Sequence, residues 1–234
     1  MTCVTIGPAT LYCGDAYAIR PTLGFHDADV MDPPYAFRAS GAGRYRKRRP
    51  MFDQIIADNL HRGFDMAIVN PLLCGAAIVF AHTDQLAELL GRVAGQFHRH
   101  ALCVWQKTNP QPIANKHYRS DAEFYVHAWN RGHHPAGTLA DLMRISRISS
   151  PRGPARFDHP TTKPDALMTK IVANAAGTSI CDPFMGTGST GVAAIRAGKR
   201  FAGIEHNPDH FATAVRRLTA AVAELADQRE RTAA

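Results

Sequence analysis

Apolar residues along this 234-residue chain recur in two alternating rhythms. Short runs dense in apolar, β-branched and aromatic residues fall at 10–13, 28–31, 76–81, 101–105, 123–129, 179–181 and 201–204. Their length and content predict strands. Between them the spacing becomes helical. From about Asp84, the residues Leu86, Leu89, Leu90 and Val93 share one face. After Lys163, Pro164 opens a helix in its first turn, Leu167, Met168, Ile171, Val172 and Ala175 form its stripe, and Gly177 closes it. A last helix begins at Asn207-Pro208 with Asn as cap and buries Phe211, Val215, Leu218, Val222 and Leu225. This alternation predicts an α/β fold with a mostly parallel sheet and helices on both faces. In such sheets ligands sit at the carboxyl ends of the strands.

The length and a composition of 45% apolar and 20% charged residues predict one globular domain, 1–234, with a large core. The segment 130–158 breaks the pattern. It is rich in Gly, Pro, Ser and Arg and reads as a short variable segment suited to target recognition, a loop longer than most. No apolar run reaches the ~18 residues that span a bilayer. The chain does not open on a basic region followed by an apolar stretch, so secretion is not expected. The five cysteines form no Cys-x-x-Cys pair, and the twelve histidines no His-x-x-x-His pair with an acid. Neither disulfides nor a metal site is expected, and a reducing cytoplasm fits.

Charge sharpens the picture. A net charge of +7 and a pI near 9.4 favour an anionic partner, nucleic acid first. The run Arg44-Tyr45-Arg46-Lys47-Arg48-Arg49 is the densest basic stretch. It is either a solvated loop or, given that it starts nine residues after Tyr35, a phosphate-contacting loop at the mouth of a site.

Two segments carry candidate chemistry. Asp182-Pro183-Phe184-Met185-Gly186-Thr187-Gly188-Ser189 runs from a strand through a glycine-rich loop into a helix. This is the cradle of a nucleoside-bearing cofactor, and Glu205 ends the next strand, where an acid accepts both ribose hydroxyls. A dinucleotide dehydrogenase would use the same parts. However, only 29 residues follow Glu205, too few for the second βαβαβ half of that fold. S-adenosylmethionine, with one nucleoside, fits. Phe184 would lie against it, the amides of Gly186, Thr187, Gly188 and Ser189 would face its polar end, and Asp182 would neutralise its ammonium or sulfonium. His159, Thr161 and Lys163 precede a helix whose first amides, with Lys163, suit the methionine carboxylate. Asp15 either accepts from the adenine amine of the cofactor or caps the next helix.

Asp32-Pro33-Pro34-Tyr35 directly follows a strand. Tyr35 offers a stacking face worth about 1–3 kcal/mol to a base, and a base in a duplex must first be flipped out. Pro33 and Pro34 stiffen the backbone and leave free carbonyl acceptors. An exocyclic amine has two hydrogens, matching one acceptor from Asp32 and one from a main-chain carbonyl. Asp32 thus borders both base and cofactor, and rate would come from positioning two bound reactants.

Taken in order, these motifs resemble the amino-methylating DNA methyltransferases of the β arrangement. Leu11-Tyr12-Cys13-Gly14-Asp15-Ala16 is similar to the family's opening segment. Trp105-Gln106-Lys107-Thr108-Asn109-Pro110-Gln111-Pro112 is similar to its W-x-K-x-N-P-x-P segment, and His159 to Pro164, Asp182 to Ser189 and Phe201-Ala202-Gly203-Ile204-Glu205 complete the set. The resemblance implies a Rossmann-like class I methyltransferase fold in circularly permuted motif order, with a seven-stranded sheet. It implies S-adenosylmethionine as cofactor, double-stranded DNA as partner, and a homodimer. It associates an Asp before Pro-Pro with N6 of adenine and a Ser with N4 of cytosine, so Asp32 favours adenine and leaves cytosine open. A cofactor- and DNA-binding protein without turnover is the reading from another class, disfavoured by the intact Asp32 and Tyr35. Methylation of a protein glutamine is disfavoured by motif order. The chain departs from larger members in its short variable segment and in having no DNA-binding extension after the last helix. Either recognition is lax, or Arg44–Arg49 and a second subunit supply it. Lys107, Arg144 and Arg147 are further candidates for DNA contact.

Overall fold

The alternating apolar runs build one twisted sheet between two helical layers. The structure, a computed structural model, describes residues 2–35, 63–110, 118–151 and 163–233. In chain order the elements are β1 (Thr2–Ile6), β2 (Ala9–Cys13), α1 (Ala16–Ile19), β3 (His26–Met31), β4 (Cys74–Ala81), α2 (Leu86–Gln96), β5 (Arg99–Lys107), β6 (Ala122–Trp129), β7 (Ile145–Ile148), α3 (Asp165–Asn174), β8 (Ser179–Asp182), α4 (Ser189–Arg196), β9 (Arg200–Glu205) and α5 (Pro208–Ala233). The basic run at 44–49, His159 and Thr161 lie outside the described residues.

The sheet order is β1-β2-β9-β8-β3-β4-β6-β5-β7. Pairing is parallel from β2 through β9, β8 and β3 to β4, antiparallel on both sides of β6, and parallel again between β5 and β7. All seven expected strands form. The sheet nevertheless has nine strands and not seven, because an extra strand is added at each edge. β1 folds back on β2 around Gly7, whose φ of +52° suits glycine, and most of its residues are exposed. β7 has four residues, and its one buried position is the polar Ser146 while Ile145 is exposed. β7 lacks the buried-face pattern that marks a strand in sequence, and β1 shows it weakly, with Val4 and Ile6 partly buried against the core. Backbone pairing holds them, aided at β7 by the Trp105 indole N–H donating to the Ile148 carbonyl at 2.8 Å.

All eight positions of β4 are buried, as expected of a strand covered on both faces. Ile78 and Phe80 pack toward α3, α4 and α5 with Leu167, Ile171, Ile195 and Leu218. Ala77 and Val79 pack on the other face with Ile19, Leu89 and Val93 of α1 and α2. The start of α5 is as expected, with Asn207 Oδ1 accepting from the amide of Asp209 at 2.9 Å. At α3, Pro164 sits one residue earlier than expected, as the N-cap, and the helix ends at Asn174.

A fully buried ion pair interrupts the apolar interior. Arg20 and Asp29 are both fully buried, and Arg20 grips the Asp29 carboxylate with Nε and Nη2, each at 2.9 Å. Its remaining donors bond the carbonyls of Gly24 at 2.8 Å and Leu73 at 2.7 Å. Burial pushes the Asp29 carboxyl up to about 6 even against the pull of Arg20. Arg20→Met should therefore cost about 3–5 kcal/mol, because it leaves a buried acid unpaired. Without the guanidinium the folded-state pKa of Asp29 rises further above its unfolded value. Stability of the variant should then fall as pH rises from about 4 through that raised value, so the deficit is larger at alkaline than at mildly acidic pH. Urea unfolding across this range checks it, and a deficit independent of pH would contradict it.

Candidate active site

Because β5 and β7 run the same way as β4, the carboxyl ends of every strand except β1 and β6 lie along one edge of the sheet. β6 runs the other way, so its first residues, including Glu123, reach that same edge. The strand ends thus gather Asp32 after β3, Lys107 at the end of β5, Asp182 at the end of β8 and Glu205 at the end of β9.

Beyond β8 the chain enters the glycine loop. The Asp182 side chain is buried, and it accepts from the Phe184 amide at 3.0 Å and from the Thr190 hydroxyl. Burial raises its carboxyl to about 7 despite these donors. Glu205 is equally enclosed but differs in charge. Its Oε2 accepts from the Gly186 amide at 2.9 Å and its Oε1 from the Asn207 amide at 2.8 Å. Burial works against its charge, yet His206 and the Asn207 amide outweigh that and hold it below the usual glutamate range. Gly186 and Gly188 have positive φ, and a Cβ on Gly188 would meet Leu218 Cδ1 at 2.7 Å. Glycine there lets α4 and α5 close on the loop. Thr187 and Ser189 turn their hydroxyls toward Arg217 of α5, which also takes the Thr187 carbonyl at 2.7 Å. Phe184 stands edge-on to Tyr17 and to Phe64, each with ring centres 6.1 Å away. Asp15 caps α1 by accepting from the Tyr17 amide at 3.1 Å, which is the capping alternative of the two open to it.

Beyond β3, Asp32 is followed by the buried Pro33 and the half-buried Pro34. Tyr35 bends back, its hydroxyl donating to Asp32 Oδ1 at 2.9 Å. Lys163 donates to Asp32 Oδ2 at 2.6 Å and lies 3.3 Å from Glu123 Oε2, over the ring of Phe80. Glu123 Oε1 is 2.8 Å from Lys107 Nζ. Burial disfavours the Lys163 charge, but the Asp32 and Glu123 carboxylates outweigh it and hold its pKa well above the ordinary lysine value. Burial and the neighbouring Asp32 drive the Tyr35 phenol well up, so it stays neutral. Burial also opposes the charge of Glu123, and Lys163 and Lys107 overcome it.

The sequence-derived residues thus fall into two adjoining groups. Asp32, Pro33, Pro34, Tyr35 and Lys163 form one, and Asp182, Phe184, Gly186, Thr187, Gly188, Ser189 and Glu205 the other. Lys163 spends its ammonium on Asp32 and Glu123. Lys107 joins the first group through Glu123. Arg144 and Arg147 are exposed at β7, four strands from β3 in the sheet order, and Arg147 bonds Gln106 at 3.1 Å. Glu123 and Arg217 were not expected from sequence. The signals existed: an acid opening an apolar strand, and an arginine beside Leu218 on the buried side of α5. Among the described residues no cluster of three or more His, Cys, Asp or Glu is arranged to hold a metal. None of the described helices is long and apolar enough to cross a membrane.

Known proteins fit this geometry. Over 134 residues the chain is 31% identical to the type II methyltransferase M2.DpnII of Streptococcus pneumoniae, covering 50% of each protein. Over 127 residues it is 39% identical to the DNA adenine methyltransferase YhdJ of Escherichia coli K12, covering 53% of this chain and 40% of that protein. The chain therefore spans half or less of the length of these curated relatives. Its fold is similar to that of M1.HpyAVI in complex with SAM, with a TM-score of 0.67 at 24% identity over 90% of this chain and 98% of that one. It is also similar to the PvuII cytosine-N4-specific DNA methyltransferase, with a TM-score of 0.65 at 15% identity over 91% and 87%. The profile of the N6/N4 DNA methylase family matches residues 30–216. That span runs from β3 into α5 and takes in Asp32, Glu123, Lys163, Asp182 and Glu205, so the chain belongs to this DNA methylase family.

Proposed function

We propose that this protein is a DNA amino-methyltransferase that uses S-adenosylmethionine and acts on N6 of adenine in double-stranded DNA. The observation that carries the reading is the juxtaposition of two carboxyl-edge groups: Asp32 held beside Tyr35, and the glycine loop with Asp182 one strand away and Glu205 two. The residues of the second group fit the cofactor. Glu205 is held charged; its Oε1 takes the Asn207 amide and lies 3.3 Å from His206 Nδ1, while its Oε2 accepts the Gly186 amide and keeps a lone pair for a ribose hydroxyl. Asp182 is a buried carboxyl close to neutrality, the kind whose charge a cationic ligand restores. Phe184, backed by Tyr17 and Phe64, supplies an apolar wall. When bound, S-adenosylmethionine supplies an electrophilic methyl group.

The chain's own residues do the rest. Asp32 accepts one hydrogen of the target amine and a main-chain carbonyl of the two prolines accepts the other, turning the nitrogen lone pair toward the cofactor. Tyr35 stacks on the flipped base. The preorganised carboxylate and the fixed proline backbone hold two reactants in one geometry, the source of most of the rate. The adenine preference rests on Asp32, the residue associated with adenine by resemblance. A related adenine methyltransferase in Escherichia coli is consistent with it. The shared fold with a cytosine-N4-specific enzyme makes cytosine the second reading.

Unmethylated DNA treated with the purified protein and cofactor, digested to nucleosides and analysed by mass spectrometry, should yield N6-methyladenine. N4-methylcytosine alone would overturn the base assignment, and no modified base, with cofactor bound, would overturn the enzyme. Cofactor affinity should also depend on pH through Asp182. A cation binds its ionised form, so affinity should weaken toward tenfold per pH unit below about 7. Asp182→Asn should bind more weakly with a flatter profile. Calorimetry in which parent and variant share one profile would remove Asp182 from the site.

A further inference from the structure

Two lysines, two acids and a phenol meet at the carboxyl edge, yet Glu123 has no part in the reaction proposed above. It arrives from the first residues of β6, and its two oxygens divide between two cations, Lys107 at 2.8 Å and Lys163 at 3.3 Å. Lys163 is 7% exposed and has three N–H donors for its neighbours. One goes to Asp32 Oδ2 at 2.6 Å, one lies toward Glu123 Oε2, and the third toward the Tyr35 hydroxyl at 3.4 Å. The two positive and two negative charges balance, and of the four only the Lys163 ammonium is buried.

This arrangement makes the two oxygens of Asp32 unequal. Oδ2 is tied to a cation. Among the described residues Oδ1 accepts only the neutral Tyr35 hydroxyl, and that hydroxyl lies 3.5 Å from Glu123 Oε2. A phenol exchanges partners at little cost, whereas a buried ammonium does not. Resting on the reading of Asp32 as the acceptor of the target amine, we propose that Glu123 is a positioning residue for methyl transfer. By sharing the Lys163 ammonium with Asp32, it confines that ammonium to Oδ2 and keeps Oδ1 for the target amine. As the base enters, the Tyr35 hydroxyl turns from Asp32 Oδ1 to Glu123 Oε2. Without the charge of Glu123, the ammonium is drawn over both oxygens of Asp32 and competes with the amine. Lys107 acts one step further out, by holding Glu123 in place from the other side.

Single-turnover methyl transfer at saturating cofactor and DNA tests this with three variants. Glu123→Gln keeps the shape and removes the charge, and should slow the chemical step about 10- to 100-fold. Cofactor affinity, DNA affinity and Tm should remain those of the parent. Glu123→Asp keeps the charge on a shorter arm and should retain more of the rate than Gln. Lys107→Met should slow the step more mildly with DNA affinity unchanged, and it stands in should the Gln variant fail to fold. A parental rate in Glu123→Gln, equal losses in Asp and Gln, or a loss that tracks a lowered Tm would each overturn the proposal. So would a Lys107→Met variant that loses DNA affinity at an unchanged rate. An unaltered protein that modifies no base would instead overturn the enzyme reading on which the proposal rests.

Discussion

The bidentate contact between Arg20 and Asp29 is the constraint from which the site follows. It joins the middle of β3 to the turn after α1 and, through the Leu73 carbonyl, to the entry of β4. Asp29 also pairs across the sheet with Cys181 of β8 and Ala77 of β4. A shift of β3 by one residue would break this pair inside the core and turn each of its side chains to the other face. With β3 locked, Asp32 emerges three residues later at a fixed height beside Asp182. The ion pair is weak evidence of stability, since desolvation offsets much of its attraction. Its contribution here is to set register.

The two carboxyls beside the glycine loop show how environment separates chemically identical groups. Both are buried. Asp182 receives one amide and one hydroxyl and drifts toward neutrality, while Glu205 receives amides and histidine and stays charged. Around Asp32, charge is kept by pairing: Lys163 remains protonated and Tyr35 neutral, so that Asp32 and Glu123 are the acceptors of the group. A neutral phenol that donates to Asp32 can yield to another donor, which a second cation in its place would not do.

Much of this was legible in sequence, for physical reasons that also explain the omissions. Strands buried on both faces, such as β4, announce themselves as apolar runs, and the stripe of α3 and the Asn cap of α5 follow from local periodicity and capping. The edge strand β7 is held by backbone pairing and by the Trp105 indole, and its exposed Ile145 and buried Ser146 invert the usual signal, while β1 offers only Val4 and Ile6 as a partly buried face. Asp32, Tyr35, Asp182 and Glu205 stood out because their chemistry depends on sequence neighbours. Glu123 and Arg217 depend on partners far along the chain, as does the contact of the Lys163 ammonium with Asp32, which spans 131 residues. Only the folded sheet brings those groups together.

In the proposed enzyme, binding of the cofactor and orientation of the amine are separate tasks of adjacent strand ends. Asp32→Ala tests it most directly, since Glu123 still partners Lys163 and the glycine loop is untouched. Calorimetry should give the parental affinity for S-adenosylmethionine, while single-turnover methyl transfer to DNA should fall by orders of magnitude. Transfer at the parental rate, or a loss of cofactor affinity that accounts for the lost transfer, would contradict the account.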